Sequence, residues 1–352
     1  MNALISRVSV FVWFVLLAGT ANAVVIETVP VGNPGNAGEL SGEGAGGCGP
    51  DRICGIVDYA YNIGKYEVTA GQYTAFLNAV VATDPYGLYN TNMWSSQYGC
   101  KIQRSTTSGT YTYSIASDYA NRPVNYVSWG DAARFSNWLH NGQPAGPQNA
   151  DTTEDGAYDL AATQPYYNPD GTINDQNGLN AALLAVNRNG NWKWAITNED
   201  EWYKAAYYDP TTSSYYDYPT SGNAVPGRDR NDVSGNNANY YGTPFPIDSP
   251  HYTTGVGQFH NSAGPYGTFD QGGNVWEWNE AVIGSHRSVR GGSFGSLGDS
   301  LLASGRYDDG DSAAGEYLTL GFRVSEVPEP TSLAILAFGG IGTLVRRRGL
   351  GR

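Results

Sequence analysis

The chain has 352 residues, with 20 basic and 33 acidic side chains and a formal charge of −13 at pH 7. So acidic a surface repels phosphate backbones, which excludes nucleic acid as a partner, and suits divalent cations and solubility outside the cell. With 46 Gly, 26 Tyr and only 15% charged residues, the composition points to a loop-rich, aromatic-packed domain long enough to bury a large core.

Residues 1–23 have the three parts of a signal peptide: Arg7, an apolar run from Val8 to Leu17, and Ala21-Asn22-Ala23. The small-x-small triplet is the pattern that signal peptidase reads, which places the cut after Ala23 and sends the chain out of the cytoplasm. The run is shorter than the ~20 apolar residues a spanning helix needs. Residues 24–54 form a Gly-rich entry segment. Cys48, Cys54 and Cys100 all fall in the first third. An oxidising compartment predicts one disulfide, Cys48–Cys54 or Cys54–Cys100 being the leading pairs, with one thiol left over.

A strand is expected at Tyr59–Ile63. Thr69 and Gln72 make a capping box, and Tyr73, Phe76, Leu77 and Val80 follow the i, i+3, i+4, i+7 stripe of a first helix. A second helix starts at Ser128, with Asp131 three residues on and Ala132, Phe135, Trp138 and Leu139 on its apolar face. A third starts near Thr197, with Trp202, Ala205 and Ala206 inward. Residues 142–191, polar and rich in Gly, Asn and Asp, read as a surface insertion. Beyond Asp209, short segments punctuated by Gly and Asn predict strands and long loops, so the class is α+β. No internal repeat is visible.

The end of the chain has its own pattern. Pro328-Glu329-Pro330 precedes an apolar stretch from Thr331 to Val345, and Arg346-Arg347-Arg348 follows at once. The arginines would stop the helix on the cytoplasmic side. Residues 327–352 thus resemble a PEP-CTERM sorting tail with a short transmembrane helix. That resemblance implies recognition by an exosortase of a Gram-negative-type bacterium and a cut near Pro328, Glu329 and Pro330. It also implies transient anchoring in the inner membrane through this tail, then release to the cell surface or extracellular matrix.

Six blocks then occur in order: Asn62–Thr69, Arg122–Trp129, Glu199–Trp202, Gly273–Trp278, Arg290–Phe294 and Gly321–Val324. Their order and spacing resemble the formylglycine-generating enzyme (sulfatase-modifying factor) family over residues 55–325. The resemblance implies a variant of the C-type lectin fold, rich in irregular loops. The family's oxidase holds copper between two cysteine thiolates, soft ligands suited to Cu(I). Here the matching positions are Ser296 and Leu301, and no cysteine follows Cys100, so copper and formylglycine-generating activity are not expected. Ser293 and Trp278 match a serine and a tryptophan of the family's active cleft, and Arg306 a cleft arginine. The resemblance also implies structural calcium at Asn274, Glu277 and the Val275 carbonyl, with a second site at Asn239 and the Tyr240 carbonyl; hard oxygen donors on irregular loops suit that ion.

Other catalytic signatures are missing. His140, His251, His260 and His286 lack metal-ligand spacing, residues 168–175 fail the EF-hand pattern, and there is no phosphate loop, dinucleotide fingerprint or Gly-x-Ser-x-Gly elbow. The expectation is an exported binding or structural module, with an extracellular polysaccharide or a surface protein as ligand. The rival is an enzyme of the same family, an oxidase using different cleft residues.

Overall fold

In the computed structural model, which describes residues 23–41, 53–306 and 312–328, each of the three expected helices forms. The helix Ala70–Val80 opens on its capping box: Gln72 N donates to Thr69 Oγ1 (3.2 Å) and Thr69 N to Gln72 Oε1 (2.8 Å). Ser128 and Asp131 start the helix Trp129–His140 in the same way, and Asn198 with Glu201 starts the helix Glu199–Tyr207. Each box satisfies two backbone donors that the first turn leaves unpaired. The first two helices bury their aromatic stripes against one another. Phe76 lies 5.3 Å from both Phe135 and Trp138, and Phe135 lies 5.4 Å edge-on from Phe322. Removing one such ring costs about 3–5 kcal/mol, because the close-packed core cannot collapse into the space.

Two of the sheets position the site residues. In the first, Thr28–Val31, Tyr61–Gly64, Val324–Glu326 and Trp194–Ile196 lie side by side in that order, every pair antiparallel. In the second, Trp276–Ile283 pairs antiparallel with His286–Arg290 and parallel with Leu320–Phe322. The last two strands, Leu320–Phe322 and Val324–Glu326, belong to different sheets and flank Arg323, which is fully buried.

Several expectations need correction. The strand foreseen at Tyr59–Ile63 runs from Tyr61 to Gly64. The segment expected as a Gly-rich entry loop is not merely that, since Thr28–Val31 is an edge strand. Residues 142–191, expected as a surface insertion, are tied to the body of the domain. Arg134 donates to both oxygens of Glu154 (2.8 and 3.0 Å), Asn137 donates to the carbonyls of Thr153 and Tyr158 (each 2.8 Å), and the helix Gln176–Ala185 buries Leu179 and Leu183. Short-range polarity hid these tertiary anchors. The hairpin Ile102–Thr107 with Thr110–Ile115 also had no expected counterpart.

Cys54 is disulfide-bonded and Cys100 is a free, buried thiol, so the Cys54–Cys100 pairing is not made. Burial pushes the Cys100 thiol up to about 11, which keeps it unreactive. Among the described residues no helix is long and apolar enough to cross a membrane; the expected signal run, Glu329, Pro330 and the apolar tail lie outside them.

Candidate functional site

The strand His286–Arg290 ends in the turn that carries Ser293. Gly291 and Gly292 have φ of +99° and +77°, and a Cβ on Gly292 would sit 2.8 Å from Leu301 Cδ1, so glycine is required twice. The turn closes on itself. Ser293 N donates to Ser296 Oγ (3.1 Å), the two Oγ atoms lie 3.1 Å apart, and Gly295 N donates to Ser293 Oγ (3.2 Å). Leu301 is fully buried with Tyr218 and Ala238. The two positions matched to copper ligands therefore hold a hydroxyl used inside a turn and an aliphatic core side chain. Neither is a soft ligand.

The other expected cleft residues, Trp278 and Arg306, have protein partners. Trp278 is fully buried and its Nε1 donates to the Val127 carbonyl (3.0 Å). Arg306 Nη2 donates to Glu199 Oε2 (2.6 Å), while Arg290 Nε donates to Glu199 Oε1 (2.8 Å). Glu199 thus bridges two guanidinium groups in a nearly dry place. What the sequence did not disclose is the row of rings beside Ser293. Phe294 lies 5.7 Å from Tyr252, Tyr252 lies 4.4 Å from Tyr98 and 5.5 Å from Phe245, and Phe245 and Tyr241 are exposed. These aromatics come from three distant segments and follow no local period.

The residues matched to calcium ligands do gather in one place. Asn274 has φ +61°, which the αL-tolerant Asn supplies. Its Oδ1 accepts from Asn239 Nδ2 (3.2 Å), Thr254 N (2.9 Å) and Thr254 Oγ1 (3.3 Å). The Tyr240 carbonyl accepts from Arg228 Nε (2.7 Å). Asn274 Oδ1 and the Tyr240 carbonyl thus already accept from protein donors, while Asn239 uses its Nδ2 to donate to Tyr252 O (2.9 Å) and Asn274 Oδ1. Glu277, fully buried, takes both Arg323 Nε and Nη2 (2.6 Å each) and Trp202 Nε1 (2.7 Å).

Around Glu277, however, acidic side chains gather. Glu67 is 1% exposed and accepts from Asn274 Nδ2 (2.9 Å) and Val275 N (3.2 Å). Burial, followed by the charges of Asp270 and Glu277, holds its carboxyl well above the usual range. Burial likewise pushes Asp270 up to about 6, against the pull of the Gly257 amide and Arg323. Buried acids beside Arg323, with backbone carbonyls nearby, are a donor chemistry that a hard divalent cation fits. Even so, among the described residues no three His, Cys, Asp or Glu side chains converge as a metal centre, so carbonyls such as that of Val275 would complete any set.

The N-terminal end is also held. Ala23 is exposed, while Gln143 clamps the next residue: Val24 N donates to its Oε1 (2.6 Å) and its Nε2 donates to Val24 O (2.8 Å). Residues 24–27 line a cavity of about 620 Å³ with Tyr66 to Thr69 and Gln72. At the other end, Val327 N donates to the Lys193 carbonyl (2.9 Å), so ordered pairing persists up to the residue before Pro328.

Residues 37–327 match the model of the sulfatase-modifying factor enzyme 1-like domain, and residues 326–348 match the PEP-CTERM protein-sorting motif. The sorting motif marks an exported protein with a C-terminal membrane anchor of the Gram-negative type, processed by an exosortase. No curated protein matches the chain. Among solved structures, CarF superposes with a TM-score of 0.52 at 18% identity, over 87% of this chain and 99% of that one. Treponema denticola variable protein 1 gives 0.48 at 19% identity, covering 88% and 98%. PvdO from Pseudomonas aeruginosa gives 0.45 at 16%, covering 86% and 92%. The expected α+β, C-type-lectin-like architecture stands, and the chain belongs to the sulfatase-modifying factor enzyme 1-like family.

Proposed function

We propose that the exported domain is a binding or structural module of the cell surface or extracellular matrix, not a formylglycine-generating oxidase. The observation that carries this reading is the pair Ser296 and Leu301. One is a hydroxyl closing a serine turn and the other is core, and neither can replace a thiolate on copper. Fold kinship does not supply chemistry that the site residues lack. The test incubates purified mature protein and copper with a sulfatase-type cysteine peptide and follows the product by mass spectrometry. The peptide should stay unmodified; an aldehyde would refute the reading.

Processing at both ends fits such a role. Cleavage after Ala23 leaves Val24 as the new terminus, its backbone already clasped by Gln143. A cut near Pro328 leaves the strand Val324–Glu326 and its pairing untouched. The ligand in this reading is an extracellular polysaccharide or a surface protein. Calcium has a structural part in it: Glu277 and the Val275 carbonyl would hold the ion beside Glu67 and Asp270, and its charge would offset theirs.

A further inference from the structure

A cavity of about 370 Å³ opens between residues 84–91, the start of the helix Trp129–His140, residues 167–173 and residues 314–316. Of its lining residues, the sequence motifs touch only the helix cap Ser128 and Asp131 and, within the stretch 168–175 that fails the EF-hand pattern, residues 170–173. Its volume falls at the lower end of small-molecule sites, roughly 300–1,000 Å³. Its walls combine two kinds of group. Tyr86, Tyr89 and Tyr167 supply aromatic surface; Tyr86 and Tyr167 pack edge to face at 5.4 Å, with the Arg134 guanidinium over both. Asp84, Arg104, Asn90, Asp131 and Glu316 supply planar polar groups.

These polar groups are held in place by the fold. Asp84 accepts from the amides of Leu88 (2.8 Å) and Tyr89 (3.1 Å) and faces Arg104 at 3.6 Å. Arg104 is stacked over Tyr89 and Tyr111 at 4.7 and 4.4 Å. Asn90 Nδ2 donates to Glu316 Oε2 (2.7 Å), and Asp131 Oδ2 is fixed by the Ser128 amide (2.7 Å). Glu316 and Asp131 come close enough for their carboxyls to interact directly. Two carboxyls in contact cannot both ionise, so they carry a proton between them. Burial, followed by the charge of Asp131, raises Glu316 well above its ordinary value, and burial raises Asp131 to about 6.

Arg104 offsets Asp84 and the acid pair keeps a proton, so what remains is the charge of one carboxylate of that pair and of the exposed Asp170. An anion meets carboxylates on two walls, which disfavours it. A neutral polyhydroxyl compound does not, and it matches both kinds of surface. Planar carboxyl, amide and guanidinium groups can each meet two neighbouring hydroxyls, and a tyrosine ring can cover the C–H face of a sugar ring. We propose that this cavity, walled by Tyr86, Tyr89, Tyr167, Asn90, Arg104 and Glu316, binds a neutral saccharide unit. The proposal rests on the module reading above and gives that module a ligand class and a location.

The test uses the whole mature domain and saturation-transfer NMR, followed by calorimetric titration. The probes are maltose, cellobiose and N,N′-diacetylchitobiose, with glucuronic acid and glucosamine as the anionic and cationic counterparts. At least one neutral sugar should bind saturably and better than either charged one. Glu316→Ala and Tyr86→Ala should each weaken it at least tenfold. Melting curves should show both variants still folded at the titration temperature, so that the loss of binding does not come from unfolding. Equal binding by wild type and both variants would move the site elsewhere and overturn the proposal, as would absence of binding by every neutral sugar or preference for a charged one. The module reading fails on a different result, aldehyde formation in the peptide assay.

Discussion

Replacing Arg323 with methionine should be among the most damaging single changes in this protein. The guanidinium is fully buried and makes two 2.6 Å bonds to Glu277 and bonds of 2.9 Å each to the carbonyls of Gly64 and Phe269. Methionine fills much of the volume but leaves Glu277 ionised and without its partner beside Glu67 and Asp270. Breaking a buried pair from one side costs about 3–5 kcal/mol, a large share of the ~5–15 kcal/mol that holds a domain folded. Urea unfolding at pH 7, with calcium held constant, should show that loss as a lower midpoint at unchanged slope. The loss should shrink at pH 5, where the orphaned carboxyls can take protons. Their pKa values would be raised in the folded state, so the stability they contribute is present below the unfolded value and lost as pH rises. The double variant Arg323→Met with Glu277→Leu should recover at least half, since replacing both partners by apolar groups avoids the stranded charge. A cost below about 1 kcal/mol for Arg323→Met would refute this account of the core.

Three further outcomes are expected. Wild-type stability should fall as pH rises from about 4 through 6 to 7.5, because Asp131 and Asp270, both up to about 6, and Glu67 bind more protons folded than unfolded. Below pH 4 the trend should reverse, because Glu201, held low by Arg188 despite its burial, must then protonate; denaturation curves at pH 3, 5 and 7.5 decide. Chelator should lower the melting temperature relative to excess calcium, by an amount that grows with free ion over Kd, about 2.7 kcal/mol at a hundredfold excess, and Glu277→Gln should abolish the difference; superimposable curves would remove calcium from the reading. Intact-mass measurement of surface material from the native host should give a chain that starts at Val24 and lacks Arg346–Arg348, and finding Arg352 attached would favour simple anchoring.

The parts of the fold legible in the sequence are those in which one local rule decides. Thr69 with Gln72 and Ser128 with Asp131 are capping boxes whose partners sit three residues apart, and the stripe Tyr73, Phe76, Leu77, Val80 needs one helix face. Where partners are distant the sequence is silent. Arg134 meets Glu154, and Asn137 meets Thr153 and Tyr158, inside a stretch whose polarity suggested a surface loop. The cavity at Glu316 joins five segments up to some 230 residues apart, so no spacing could announce it.

The candidate site shows the same division for a different reason. Gly291, Gly292 and Asn274 are fixed by backbone demands: two turns with positive φ and, at Gly292, contact with Leu301. Trp278, Arg290 and Arg323 are fixed by buried hydrogen bonds to Val127, Glu199 and Glu277. A family motif of this kind therefore records what the scaffold needs in order to fold, and it survives whether or not chemistry is done on it. The positions free of that demand are where function can change. Ser296 and Leu301 show it directly: the turn accepts a hydroxyl and the core accepts an aliphatic chain, so the fold persists with no thiolate at either position. For this reason a fully matched motif set and a missing pair of copper ligands are compatible in one protein, and the search for its ligand belongs at cavities such as that of Glu316, which the motifs do not define.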